Sequence, residues 1–298
     1  MIVANINDLT GPAFVAAKVR AYWELLKFRL SFLVAFSCGF GYVLASPQVN
    51  WVTLTMLFLG GFLLSGSSVI INQIIEKDLD SLMTRTMNRP LPTYRVSVNE
   101  ATSVAIFCLL AGVTILMLYT NVLTTILSIV SMILYGFVYT PLKRVGPIAV
   151  FVGAIPGALP PLLGWVAATG SISHEALIIF GIQFIWQFPH FWAIAWVSDD
   201  DYKKAGFKLL PSGGKKDLNT AVQIMIYTMF LIPLGLLPAT FGITGLNSAI
   251  VVTVCGVLFF AQTFSLMRSG DRRSALKIMF GSFLYLPIVQ IAYLLDKV

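Results

Sequence analysis

Asn72, Glu76 and Asp80 place three oxygen-bearing side chains at intervals of four residues. On a helix that spacing drifts by only about 40° per step, so the three share one face, while Asp78 points elsewhere. Such a column suits a hard cation. Magnesium takes one or two carboxylates and completes its shell with water and substrate phosphate oxygens. Arg85 and Arg89 follow shortly after, and guanidinium groups grip phosphate oxygens in a bidentate fashion.

A second acidic cluster, Asp199-Asp200-Asp201-Tyr202-Lys203-Lys204, again joins carboxylates to cations. Asp200 and Asp201 are its candidate metal ligands, and Tyr202 and Lys203 its candidate substrate contacts. Between the clusters, Tyr139-Thr140-Pro141-Leu142-Lys143-Arg144 supplies an aromatic face and two cations. The plain alternatives are solvated carboxylates beside lysines and, for Lys143 and Arg144, contact with lipid headgroups.

His190 stands in the apolar stretch Gln187-Phe188-Pro189-His190-Phe191-Trp192. Ionisable residues at membrane depth mark function by default, and neutral imidazole is a common haem or metal ligand. A hydrogen-bonded structural histidine is the other reading. Trp192, like Tyr139, offers an aromatic face to positive charge. The run from Gly153 to Trp165 is crowded with Gly and Pro; it either lines a cavity or packs closely against a neighbouring helix. Cys38, Cys108 and Cys255 lie far apart in apolar stretches, without the spacing of a zinc site or a disulfide framework.

The elements that carry these residues follow from composition. The chain is 57% hydrophobic and 11% charged, whereas soluble domains carry roughly 25% charged residues. Segments long enough to cross a bilayer are expected at 30–46, 52–75, 98–119, 122–140, 147–168, 175–198, 218–240, 246–267 and 276–295. All but one of the 20 basic residues fall before the first of these or in or beside alternate loops, and only Lys297 lies apart. That asymmetry places the N-terminus in the cytoplasm and the C-terminus outside. It also accounts for the net charge of +7 without nucleic acid as a partner. Residues 1–29 are expected to form a cytoplasmic amphipathic segment against membrane lipids, and 30–298 the transmembrane domain. No cleavable signal is expected, so the chain reads as a multi-pass protein of the cell inner (plasma) membrane. Acidic motifs ending the second and sixth spans, with basic turns ending the fourth and eighth, hint at an internal repeat.

The motif Asn72-x3-Glu76-x3-Asp80 resembles the first aspartate-rich motif of the UbiA-type membrane prenyltransferases, usually Asn-Asp-x2-Asp-x3-Asp, with Gln73 and Glu76 replacing two of its aspartates. Those departures resemble the branch that farnesylates protohaem IX. So do Arg85-Thr86-x2-Arg89-Pro90-Leu91, Tyr139-Thr140-x-Leu142-Lys143-Arg144, Gly157-Ala158-x-Pro160-Pro161, Gln187 to Trp192 and Asp201-Tyr202-x2-Ala205-Gly206. The resemblance implies an all-α integral membrane protein with nine transmembrane helices around a central cavity. It implies Mg2+ as cofactor, and farnesyl diphosphate and haem B as substrates joined to give haem O. The catalytic and metal-binding set would be Asn72, Glu76, Asp80, Asp200 and Asp201. The substrate-binding set would be Arg85, Arg89, Tyr139, Lys143, Arg144, His190, Trp192, Tyr202 and Lys203. A complex with a downstream haem-modifying enzyme is a further expected partner. Two rivals remain: a UbiA-type prenyltransferase acting on another aromatic or tetrapyrrole acceptor, and a secondary transporter. A transporter would place its essential charges near the midplane, whereas here they cluster at span ends.

Overall fold

Long apolar stretches whose backbone polar groups find no partner in lipid must close their hydrogen bonds internally, as helices. The computed structural model describes residues 10–298; the first nine residues of the expected N-terminal segment lie outside the described residues. Among the described residues nine helices are long and apolar enough to cross a membrane: Phe28–Ala45, Trp51–Ile75, Val98–Tyr119, Val122–Leu142, Ile148–Thr169, His174–Val197, Leu218–Thr240, Leu246–Ser269 and Arg272–Leu295. They are called spans one to nine. Polar N-caps start six of them, from Asn50, Ser97, Asn121, Ser173, Asp217 and Asp271, each satisfying amides that the helix leaves open. Span nine begins earlier than expected because Asp271 Oδ1 accepts from the Ser274 amide at 2.7 Å.

The N-terminal helix Gly11–Leu25 is anchored to the rest of the protein. Ala21 and Leu25 pack with Ile70, Leu91, Val96, Ala101 and Ala105, and the Lys18 ammonium lies 2.7 Å from Glu100 Oε1. Lys27 then turns the chain into span one through a left-handed backbone, φ 44°.

Span five answers the question its Gly and Pro residues posed, and both readings hold in different stretches of it. A Cβ at Gly164 would sit 1.8 Å from the Cys38 carbonyl oxygen, and one at Gly41 would sit 1.9 Å from the Pro161 oxygen. Spans one and five therefore touch backbone to backbone, as small residues allow. Earlier along the same helix Gly153, Pro156, Gly157 and Pro160 line a central cavity. Prolines here also free carbonyls, because each removes the amide that would bond four residues back. Pro161 frees the Gly157 oxygen, which accepts instead from Gln183 Nε2 at 2.8 Å and Gln187 Nε2 at 3.0 Å of span six. Pro160 frees the Pro156 oxygen, which faces Ser131 Oγ of span four at 3.4 Å. The kinked helix thus latches two neighbours with its own unpaired backbone.

Lys297, the basic residue outside the charge pattern, donates to the Val43 oxygen at 2.8 Å and to the Ser46 oxygen. It caps the end of span one, where a cation complements the exposed carbonyls and the helix dipole.

Gly164→Ala forces spans one and five apart. A cost of about 1–3 kcal/mol and a clear fall in melting temperature in detergent are expected; an unchanged melting temperature would show that this contact does not set the helix spacing.

Candidate active site

A cavity of about 530 Å³ opens among spans one, two, four, five, six and nine, within the size range of small-molecule sites. Most of its wall is apolar, and its charged groups gather where spans two and four end. Asn72, Glu76 and Asp80 all line it, buried to 2%, 4% and 1% exposure. Span two ends at Ile75, yet Glu76 N still bonds Asn72 O at 3.0 Å and Asp80 N bonds Glu76 O at 2.7 Å. The four-residue spacing survives the break, so the expected column forms. The Asp78 side chain is 95% exposed.

Each member of the column is oriented. Thr140 Oγ1 donates its one proton to the Tyr135 oxygen at 2.9 Å, so it can only accept from Asn72 Nδ2, also 2.9 Å away. That turns the Asn72 amide oxygen away from Thr140. Thr140 is in reach because residues Leu134–Tyr139 form a π-helical turn, a widening often found at functional sites; Tyr135 and Tyr139 on it face the cavity. The Lys143 ammonium lies 2.9 Å from Glu76 Oε1 and 4.7 Å from the Tyr139 ring centre. Arg89 bonds Asp80 Oδ2 at 2.5 Å. Arg85 reaches the cavity over the ring of Tyr202, 5.9 Å from its centre.

Lys27 is a cavity residue that spacing did not reveal. A non-glycine residue in the left-handed region costs about 1–2 kcal/mol, and here the strain turns the side chain inward. Burial, then the charges of Arg89 and Lys143, hold its ammonium well below the usual lysine range, with Asp80 opposing them. Deeper in the cavity, Ser37 Oγ and Gln290 Nε2 both donate to Gln183 Oε1 at 3.0 Å. These polar groups went unremarked because single Ser and Gln residues in apolar runs carry no distinctive spacing.

The second acidic cluster has a different task from the one expected. Asp201 accepts from the backbone amides of Thr84 and Arg85 at 3.1 and 3.0 Å, and Lys204 joins it at 3.0 Å. It ties the arginine-bearing loop to the helix Asp199–Lys204. The Asp200 side chain is 92% exposed, and Asp199 is taken by Lys203 at 2.8 Å and Lys216 at 3.3 Å. The structure therefore does not bring Asp200 or Asp201 into the cavity as metal ligands. Lys203 is likewise spent on Asp199, Arg144 is exposed outside the cavity wall, and Trp192 packs on Phe188 and Tyr227. His190 and Tyr202 do line the cavity.

Among the described residues no three His, Cys, Asp or Glu side chains gather as a complete metal cage. Magnesium does not need one, because it keeps water and phosphate oxygens in its shell. Asp80 Oδ1 is buried without a hydrogen-bond partner, and Glu76 Oε1 makes no directed hydrogen bond although Lys143 is close. With the Asn72 amide, these oxygens fit a hard cation bridged to a phosphorylated ligand.

Residues 34–286 match the UbiA prenyltransferase family. The chain is 52% identical to a protoheme IX farnesyltransferase of Cytophaga hutchinsonii over 95% of its own length and 100% of that protein. It is 46% identical to the protein of that name from Christiangramia forsetii, covering 92% of each. Among solved structures, digeranylgeranylglyceryl phosphate synthase superposes with a TM-score of 0.77 at 20% identity, over 94% of this chain and 98% of that one. A UbiA homolog from Archaeoglobus fulgidus, bound to DMAPP and Mg2+, superposes with a TM-score of 0.65 at 18% identity, over 91% and 98%.

Lys204 first, and then the Arg85 amide, hold the Asp201 carboxyl well below the usual carboxylate range. A depressed folded value means that the latch is at full strength above the unfolded value of about 3.9 and is lost only as pH falls through the lower one. Hydrogen-exchange protection of the Thr84 and Arg85 amides should therefore persist from neutral pH to about pH 4 and collapse in Asp201→Ala. Equal protection in the variant would mean that Asp201 does not hold the loop.

Proposed function

The chain belongs to the UbiA prenyltransferase family, and from that premise we propose that it transfers the farnesyl group of farnesyl diphosphate to a vinyl group of haem B, giving haem O. The observation that carries this reading is one cavity that combines a buried column of oxygen donors, four cations and a long apolar wall. The names of its curated relatives support the same acceptor. The oxygen donors and the cations belong on the cytoplasmic side of the inner membrane, where the basic loops gather. Residues 30–298 form the prenyltransferase domain, with the N-terminal segment at the membrane surface.

Asn72, Glu76 and Asp80 would hold magnesium, which supplies charge neutralisation at the diphosphate oxygens. Arg85, Arg89, Lys143 and Lys27 surround the place where negative charge grows as the allylic carbon–oxygen bond breaks. Donors already in position stabilise that charge without reorganising. The electron pair of the broken bond leaves with diphosphate. The allylic cation takes the π electrons of the vinyl group, water captures the cation so formed, and a proton departs. Tyr135 and Tyr139 present aromatic faces beside this path, and the Lys143 ammonium already rests against the Tyr139 face, as a cation does on an electron-rich ring. Glu76 with Lys143, and Asp80 with Arg89, keep each charge paired before the substrate arrives.

Purified protein given farnesyl diphosphate, haem B and magnesium should yield haem O by mass spectrometry; prenylation of a different acceptor in preference to haem would overturn the reading. Glu76→Ala and Asp80→Ala should abolish transfer while the protein still inserts into membranes, and full activity in either refutes the metal assignment. Lys27→Met should raise the KM for farnesyl diphosphate about 10-fold, the scale of one lost charge-assisted hydrogen bond, with the KM for haem unchanged. A KM that does not move would take Lys27 out of the diphosphate site.

A further inference from the structure

His190 faces the cavity from span six, and its ring is held on several sides. Trp186 stacks on it at 4.4 Å with planes 19° apart, and Phe283 meets it edge-on at 5.1 Å. Nδ1 lies 2.8 Å from Ser282 Oγ on span nine. Ser282 Oγ in turn donates to the Met279 oxygen at 2.6 Å. A hydroxyl has one proton, and here the backbone carbonyl takes it. Towards the histidine the hydroxyl can only accept, so the proton of the neutral ring sits on Nδ1. Trp186 secures the same serine from behind, since its indole Nε1 donates to the Ser282 oxygen at 3.1 Å.

The consequence falls on the other nitrogen. Nε2 carries the bare lone pair, and among the described residues no hydrogen-bond partner is found for it. An imidazole whose far nitrogen donates to a fixed acceptor is the usual arrangement of a metal-ligating histidine, because the outer bond sets the tautomer and raises ligand basicity. The surrounding wall of Trp186, Phe191, Phe283 and Leu286 suits a flat apolar macrocycle.

We propose that His190 Nε2 is an axial ligand to the iron of the haem substrate, and that Ser282 is the positioning residue that fixes the ring for it. This rests on haem being the acceptor, as proposed above. Iron ligation would hold the porphyrin at one height in the cavity, so that a vinyl edge stays facing the allylic carbon.

The test titrates purified protein with ferric haem B and, separately, with iron-free protoporphyrin IX. In the unaltered protein haem should bind at least about 10-fold more tightly than the iron-free ring and show the absorption spectrum of a histidine-ligated haem. His190→Gln should erase both the affinity gap and the spectrum, and free imidazole should restore the spectrum in His190→Gly. Ser282→Ala should narrow the gap several-fold, and Ser282→Thr should recover it, which a purely structural serine would not do. Retained binding of farnesyl diphosphate reports that each variant is folded. Equal affinity for the two porphyrins, or an unchanged spectrum in His190→Gln, overturns the proposal. If the unaltered protein also makes haem O, only the ligation is lost; a histidine-ligated spectrum without haem O formation sinks the acceptor reading instead.

Discussion

Two carboxylates, Glu76 and Asp80, are almost wholly buried at the end of a membrane-crossing helix, and much of the site is arranged around the cost of charge in that place. A buried charge survives only when it is paired and hydrogen-bonded, and stripping one partner from such a pair costs about 3–5 kcal/mol. Here the partners come from different parts of the chain. Lys143 arrives from the end of span four, just past its π-helical turn, and Arg89 from the loop after span two. That loop is pinned to the end of span six by Asp201. The two acidic clusters are therefore mechanically joined but chemically distinct: one faces the cavity, and the other holds the loop that supplies cations to it.

The membrane imposes a matching economy on the backbone. Span five carries three prolines within its helix, and the Gly157 and Pro156 carbonyls set free by two of them are met by side chains of spans six and four. Backbone disorder that would be costly in lipid becomes a set of interhelical bonds. The same helix brings span one to van der Waals contact through Gly164 and Gly41. An open cavity can then exist beside tightly packed helices, because the packing and the opening use different stretches of one element.

The nine spans were legible because an apolar run of that length can satisfy its own backbone in lipid only as a crossing helix, and the caps at Asn50, Ser97 and Asp217 sit where polarity changes. The column Asn72, Glu76 and Asp80 was legible because its spacing matches the helical repeat. Asp200 and Asp201 were misread for a physical reason. A run of aspartates looks the same whether its oxygens face a cation or, as for Asp201, two backbone amides more than a hundred residues away. Lys27 was hidden because nothing in its neighbours' composition announces a left-handed backbone. Ser282 was hidden because its meaning depends on His190, 92 residues distant.

The proposed catalysis would depend on an oxygen column that binds a phosphorylated substrate through a divalent cation. Calorimetric titration of the purified protein with the unreactive thio-analogue of farnesyl diphosphate, in magnesium and again in excess chelator, addresses that claim directly. Binding in magnesium that disappears with chelator is the predicted result. Equal affinity in both would mean that the cations alone hold the diphosphate, and that Glu76 and Asp80 serve only to keep those cations in place.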